Sequence, residues 1–162
     1  MKLSENMIKL LNDQMNMEYQ AALNYKAMAN YAESIGMDGV STWLVAQSDE
    51  EIEHGEKLRM FLLDNGIQPK LSALDTPPND FKGIIDLLKV ALAQENDVTA
   101  SIHNIMENAK KENDFRSETF ITWYVTEQIE EETTFETLIE KCERIGEEEI
   151  FKFEDKIFVR GE

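Results

Sequence analysis

Apolar residues recur along this chain in alternating steps of three and four, the spacing that lines one face of a helix. One such seam runs through Ile8, Leu11, Met15, Glu18, Ala22, Tyr25, Ala29 and Ala32, and a second through Val40, Leu44, Gln47, Glu51, His54, Leu58 and Phe61. A third runs through Ile84, Leu88, Ala91, Glu95, Val98, Ile102, Ile105 and Ala109, and a fourth through Ile121, Tyr124, Gln128, Glu131, Phe135, Leu138, Cys142 and Ile145. No strand-like alternation competes, so the pattern predicts helices over about 4–35, 38–65, 80–111 and 114–145. Ser4, Asp38, Asp80 and Asp114 stand where N-caps belong, Gly36-Met37-Asp38-Gly39 divides the first two helices, and Gly66 and Gly146 are stops. All three prolines (Pro69, Pro77, Pro78) fall in GIQPKLSALDTPPND, Gly66 to Asp80. About 15 extended residues reach roughly 45–50 Å, and a helix of about 27 residues is roughly 40 Å long, so this connection can travel the length of a bundle. The short breaks make antiparallel hairpins. The expected fold is all-α, one domain over 1–162, with two antiparallel hairpins joined by one long crossover and a short C-terminal helix over about 147–159. In that tail Ile150, Phe153, Ile157 and Phe158 recur at helical spacing. A finished four-helix bundle has no seam left for them, so they are expected to pack against other subunits.

Every seam is interrupted by a polar layer near its midpoint. In SDEEIEHGEKL, Ser48 to Leu58, the phase turns Glu51 and His54 inward and leaves Asp49, Glu50 and Glu53 off the seam. Because each layer lies near mid-helix, the four meet whichever way the helices run. A single seam glutamate is more often a misjudged register than a ligand, but four at one height are not. Ionised together in an apolar layer they would cost several kcal/mol each and repel one another, so a cation must be there. Two divalent ions balance Glu18, Glu51, Glu95 and Glu131 in formal charge, and His54 adds a nitrogen donor at i, i+3 from Glu51. Mostly oxygen ligands with one nitrogen suit iron or manganese better than structural zinc. One Glu from each of two helices with paired ligands from the other two is the arrangement of di-iron carboxylate bundles. Gln128-x-x-Glu131 departs from the expected Glu-x-x-His, and a neutral amide binds metal poorly, so the second ion should be held more loosely.

The formal net charge of -17 draws in cations and repels nucleic acid and anionic membranes, neither of which is an expected partner. No apolar run approaches a membrane span, and MKLSENMIKLLNDQ breaks up its hydrophobes too early for a signal peptide. Cys142 is the single cysteine, which leaves no disulfide framework and no Cys-x-x-Cys pair. A cytoplasmic location fits. His103 falls off its seam and is expected at the surface.

MNMEYQAALNY around Glu18, EEIEH around Glu51, QEND around Glu95 and WYVTEQIEEE from Trp123 resemble bacterial non-haem ferritins. The resemblance extends over nearly the whole chain, crossover included. It implies a ferritin-like bundle, a hollow shell of twenty-four subunits, oxidation of Fe(II) by dioxygen or peroxide, and storage of hydrated ferric oxide inside. By position it implies that Glu18, Glu51 and His54 hold a first iron and Glu51, Glu95 and Glu131 a second, with Glu51 bridging. Gln128 matches the family's glutamine beside the second iron. Glu50, Glu127 and Glu130, with Glu131, match a third iron site, and Tyr25 matches a tyrosine close to the centre. On the residues alone those three acids read as a solvated face and Tyr25 as a core tyrosine. Haem is not expected, because Ile52 stands where bacterioferritins carry the haem methionine and Glu131 where they carry a histidine. The alternatives are a rubrerythrin-like di-iron oxidase or peroxidase without storage, lacking a rubredoxin module because Cys142 is alone, and a helical interaction protein that binds no iron.

Overall fold

The structure is a computed structural model that describes residues 2–160. Four long helices carry it: α1 (Glu5–Ser34), α2 (Asp38–Asp64), α3 (Ile84–Lys111) and α4 (Phe115–Ile145). A short 3-10 helix (Glu147–Lys152) and the one-turn α5 (Glu154–Ile157) follow. α1 packs along α2 and α3 along α4, and α1 also meets α3. The seams read from the sequence all face inward. Only Ile8, Phe61 and Ile145, each close to a helix end, are partly rather than fully buried.

Two of the four expected caps act as expected. Ser4 accepts from the Met7 amide at 3.0 Å and Asp114 from the Ser117 amide at 3.1 Å. Gly66 (φ +75°) and Gly146 (φ +87°) end α2 and α4 in the left-handed region open to glycine. The other two caps come from elsewhere in the chain. Asp38 is already inside α2, whose N-cap Met37 offers no side-chain acceptor. Asp80 lies in the crossover, four residues before α3 begins. The free amides of these two N-termini bond instead to glutamates of the tail. Glu154 accepts from the Val40 amide at 3.0 Å, while Glu147 accepts from the Ile84 amide and, at 3.0 Å, from that of Ile85. A carboxylate at a helix N-terminus also complements its dipole. A Cβ on Gly39 would stand 3.0 Å from the Glu154 side chain, so glycine is what admits the tail there.

The tail itself corrects the expectation that it serves other subunits. Ile150, Ile157 and Phe158 are buried against the chain's own bundle, in one cluster with Ala32, Val40, Trp43, Leu88 and Phe135. The bundle end formed by the C-termini of α1 and α4 and the N-termini of α2 and α3 receives them, so a seam was available after all. Phe153 is only partly covered.

The crossover runs from Ile67, packed at one end of the bundle, to Phe81 at the other. It is strapped to α1 by amide side chains one helical turn apart. Asn12 and Gln20 each both accept from and donate to its backbone, at Lys70 (2.7 and 3.0 Å) and Asp75 (2.6 and 3.0 Å). Asn16 between them accepts from the Ser72 amide at 3.0 Å and donates to the Lys70 carbonyl at 2.9 Å. An extended segment without secondary structure of its own thereby finds partners for its polar backbone.

The core falls into two apolar clusters. One holds Tyr25, Met28, Trp43, Leu88 and Phe135, the other Met7, Leu11, Leu58, Ile102 and Tyr124. Between them lies the polar layer.

Candidate metal centre

Each helix delivers its ligands to that layer from a seam position, and Glu18, Glu51, His54, Glu95, Gln128 and Glu131 are all at most 5% exposed. Ligand atoms of Glu18, Glu51 and His54 lie within 4.8 Å of one another, and so do those of Glu51, Glu95 and Glu131. Glu51 belongs to both groups. His54 Nδ1 is 3.1 Å from Glu51 Oε2, while Nε2 on the other side of the ring faces Glu127 Oε1 at 3.6 Å. A third group, His54, Glu127 and Glu131, thus extends the layer outward.

Neutral donors hold the carboxylates in place. Gln14 donates to Glu18 at 2.9 Å and is itself fixed by the Ser101 hydroxyl at 2.5 Å. Gln47 donates to Glu131 at 2.7 Å, and Gln128 to Glu95 at 3.1 Å. Tyr25 donates a hydrogen bond from its hydroxyl to Glu95 from one side of the layer. On the other, Tyr124 donates to the His54 carbonyl at 2.6 Å and fixes the backbone that carries the ring. Sequence reasoning placed Gln47 on a seam without a role and missed Gln14 altogether. Both stand four residues before a layer glutamate (Glu18, Glu51), one turn away on the same face, and that spacing was the available signal.

Burial shifts every carboxyl of the layer towards its protonated form. Burial, and then the neighbouring Glu51, pushes Glu18 well above the usual carboxylate range, and burial with Glu95 does the same to Glu51. Glu95 is raised by burial and pulled part of the way back by the Tyr25 and Gln128 hydrogen bonds. Glu131 is pushed up to about 8 by burial and the charge of Glu95. Burial and Glu95 also hold the Tyr25 phenol protonated. Glu18 Oε2 is buried with no hydrogen-bond partner among the described residues. An orphaned carboxylate oxygen among other carboxylates fits a bound cation, which would supply what burial took away.

Of the remaining expected residues, Glu127 is half-buried and raised by burial, with Glu130 and Glu50 adding to the effect against the opposing pull of His54. Glu130 is exposed, and among the described residues neither it nor Glu50 joins a ligand group. Glu50 is instead paired at 2.8 Å with Arg160, a residue the sequence reading gave no part. His103 is exposed, as expected. No helix of the described residues is long and apolar enough to cross a membrane.

The family profile described as a ferritin-like domain matches residues 8–145, which includes every residue of the layer. The chain belongs to the ferritin family. A bacterial non-heme ferritin of Staphylococcus haemolyticus (strain JCSC1435) is 38% identical over 161 residues, 98% of this chain and 97% of that one. That of Staphylococcus aureus (strain USA300) is also 38% identical, over 90% of this chain and 88% of its own. Among solved structures, an open pore ferritin from the archaeon Archaeoglobus fulgidus superposes with a TM-score of 0.95 at 34% identity, covering 99% of this chain and 100% of that one. The ferritin fold extends beyond the profile to the tail, whose buried residues and capping glutamates are integral to the bundle.

Proposed function

We propose that this ferritin-family chain is the subunit of an iron store, oxidises Fe(II) at the mid-bundle layer and passes the product to a mineral inside a homo-oligomeric shell of twenty-four copies. The observation that carries the reading is the pair of buried ligand groups joined through Glu51, with Glu18 Oε2 left unpartnered. Glu18, Glu51 and His54 take one Fe(II), and Glu51, Glu95 and Glu131 take the other, with Gln128 beside it. Iron here is substrate. Each Fe(II) gives one electron to dioxygen or peroxide, and the carboxylates favour the more highly charged product. Burial raises Glu18, Glu51, Glu95 and Glu131 towards their protonated forms, so loading the layer with iron is expected to release protons. Tyr25 and Gln128 keep Glu95 directed into the layer. Glu127 stands on the far side of His54, and with Glu130, Glu50 and Glu131 it forms the third site on the way out. The buried, unpaired Cys142 is in keeping with a cytoplasmic protein.

The test is aerobic loading of apoprotein with Fe(II), followed by size-exclusion chromatography that tracks iron and protein together. Storage predicts many irons per subunit eluting with a very large assembly. A few irons per subunit on a small species would leave a stoichiometric di-iron enzyme and remove the storage reading.

A further inference from the structure

An open cleft of about 540 Å³ between α2 and α4 is lined by His54, Glu127, Glu130, Glu131, Glu50 and Arg160. The acids reach it from the two helices, but Arg160 arrives from the end of the tail. Its guanidinium has a seat of three different surfaces. Nη1 donates to Glu50 Oε1 at 2.8 Å, Nη2 donates to the Trp43 carbonyl at 2.5 Å, and the group lies 4.4 Å over the Trp43 ring. Phe158, two residues earlier, is buried against the same Trp43 with ring centroids 6.1 Å apart. That anchor keeps the guanidinium at high local concentration beside Glu50, so the seat does not depend on the strength of a partly exposed ion pair.

We propose that Arg160 is a tethered counter-cation that competes with metal for Glu50, so that an ion entering the outer acid site must first unseat the tail. The proposal rests on the outer site suggested above and adds what controls it. While Arg160 is seated, Glu50 has one oxygen occupied, and a fixed positive charge opposes any ion that approaches the other. An ion passing outward through Glu127 finds Glu130 free and Glu50 taken. Displacing the guanidinium makes Glu50 available, and by linkage the metal loosens Arg160 as much as Arg160 weakens the metal. The effect is a site that stays weak until the ion arriving is strong enough to displace its occupant, which favours ions of higher charge and disfavours permanent occupancy.

Terbium(III) is a suitable probe, because it prefers oxygen ligands and its luminescence is excited through nearby indole. The chain's two tryptophans, Trp43 and Trp123, both line this cleft. Assembled apoprotein is titrated as wild type, Arg160→Gln, Glu50→Gln and the double variant, with stoichiometry counted so that the third binding step is separated from the two in the buried layer. Loss of the charge-assisted bond to Glu50 should tighten the third step about tenfold in Arg160→Gln, and the gain should vanish in the Glu50→Gln background. An equal third step in wild type and Arg160→Gln would overturn the role of Arg160 while leaving the outer site intact. The same tightening with and without Glu50 would also overturn it, as a general charge effect. Absence of a third step from every variant would remove the outer site and the proposal together, without touching the buried pair.

Discussion

At the residue scale, the layer glutamates were legible because burial punishes a lone carboxylate, so four of them at one height demanded a shared explanation. What holds them was only partly legible. Gln14 bonds Glu18 within α1 but is fixed from α3 by Ser101, and Arg160 reaches Glu50 across more than a hundred residues; neither pairing leaves a mark in local spacing. The protonation of the layer has a measurable consequence. Folding lifts Glu131 from the ordinary carboxylate range to about 8. Between those values the folded chain keeps a proton that the unfolded chain has lost, so this group makes apoprotein stability fall as pH rises from about 4.5 towards 8. Glu131→Gln cannot titrate and still offers Gln47 an oxygen. In chelator-treated protein the variant should melt with wild type near pH 5 and above it by at least ~2–4 °C at pH 8, the shift that about 1 kcal/mol makes in a chain of this size. Parallel melting curves across that range would show that Glu131 ionises freely. Gln128→Glu acts on the same layer in a different way. It replaces the donor to Glu95 with a fifth carboxylate, which strengthens metal binding and slows release of the product. After a saturating Fe(II) dose and a rest, stopped-flow absorbance of a second dose should show a slower return of the fast phase than in wild type, with the first dose still rapid. Equal recovery would show that position 128 does not govern release.

At the element scale, the long helices and their phases followed from periodicity, whereas two of their beginnings did not. Asp38 and Asp80 have the right chemistry for caps, but a cap is a matter of where the chain is heading, and Gly83 (φ +147°) turns it so that α3 starts four residues beyond Asp80. The groups that do the capping, Glu147 and Glu154, lie in the tail, where a local reading sees only an acidic run. Glu147→Ala should cost about 1–2 kcal/mol, as loss of an N-cap does, and lower the melting temperature by roughly 2–8 °C. Glu148→Ala, at an exposed neighbour with the same charge, serves as the control. Equal melting of the two variants would mean that the contact to α3 contributes nothing beyond charge.

At the scale of the whole molecule, the two hairpins and the crossover were legible from the lengths of segments between breakers, but the destination of the tail was not. Whether a bundle end is closed or open depends on how the helices splay, and that is absent from any one helix's pattern. Truncation after Gly146 removes the burial of Ile150, Ile157 and Phe158 together with both borrowed caps. At about 1.5–3 kcal/mol for each of the three buried side chains and about 2–4 °C per kcal/mol in a chain of this size, the melting temperature should fall by roughly 10–35 °C, and Trp43 fluorescence should shift to the red as it meets water. Unchanged melting would show that the tail's contacts add no net stability to the bundle. The division of the core into two apolar clusters has a consequence for cooperativity. The protein is two hydrophobic bodies threaded on the same four helices, with a waist of buried carboxyls between them. The waist is the natural fault line, so the halves should lose amide protection against hydrogen exchange separately when it is empty. An ion drawing on all four helices at that height acts as a rivet, and with zinc bound the two halves should exchange as one.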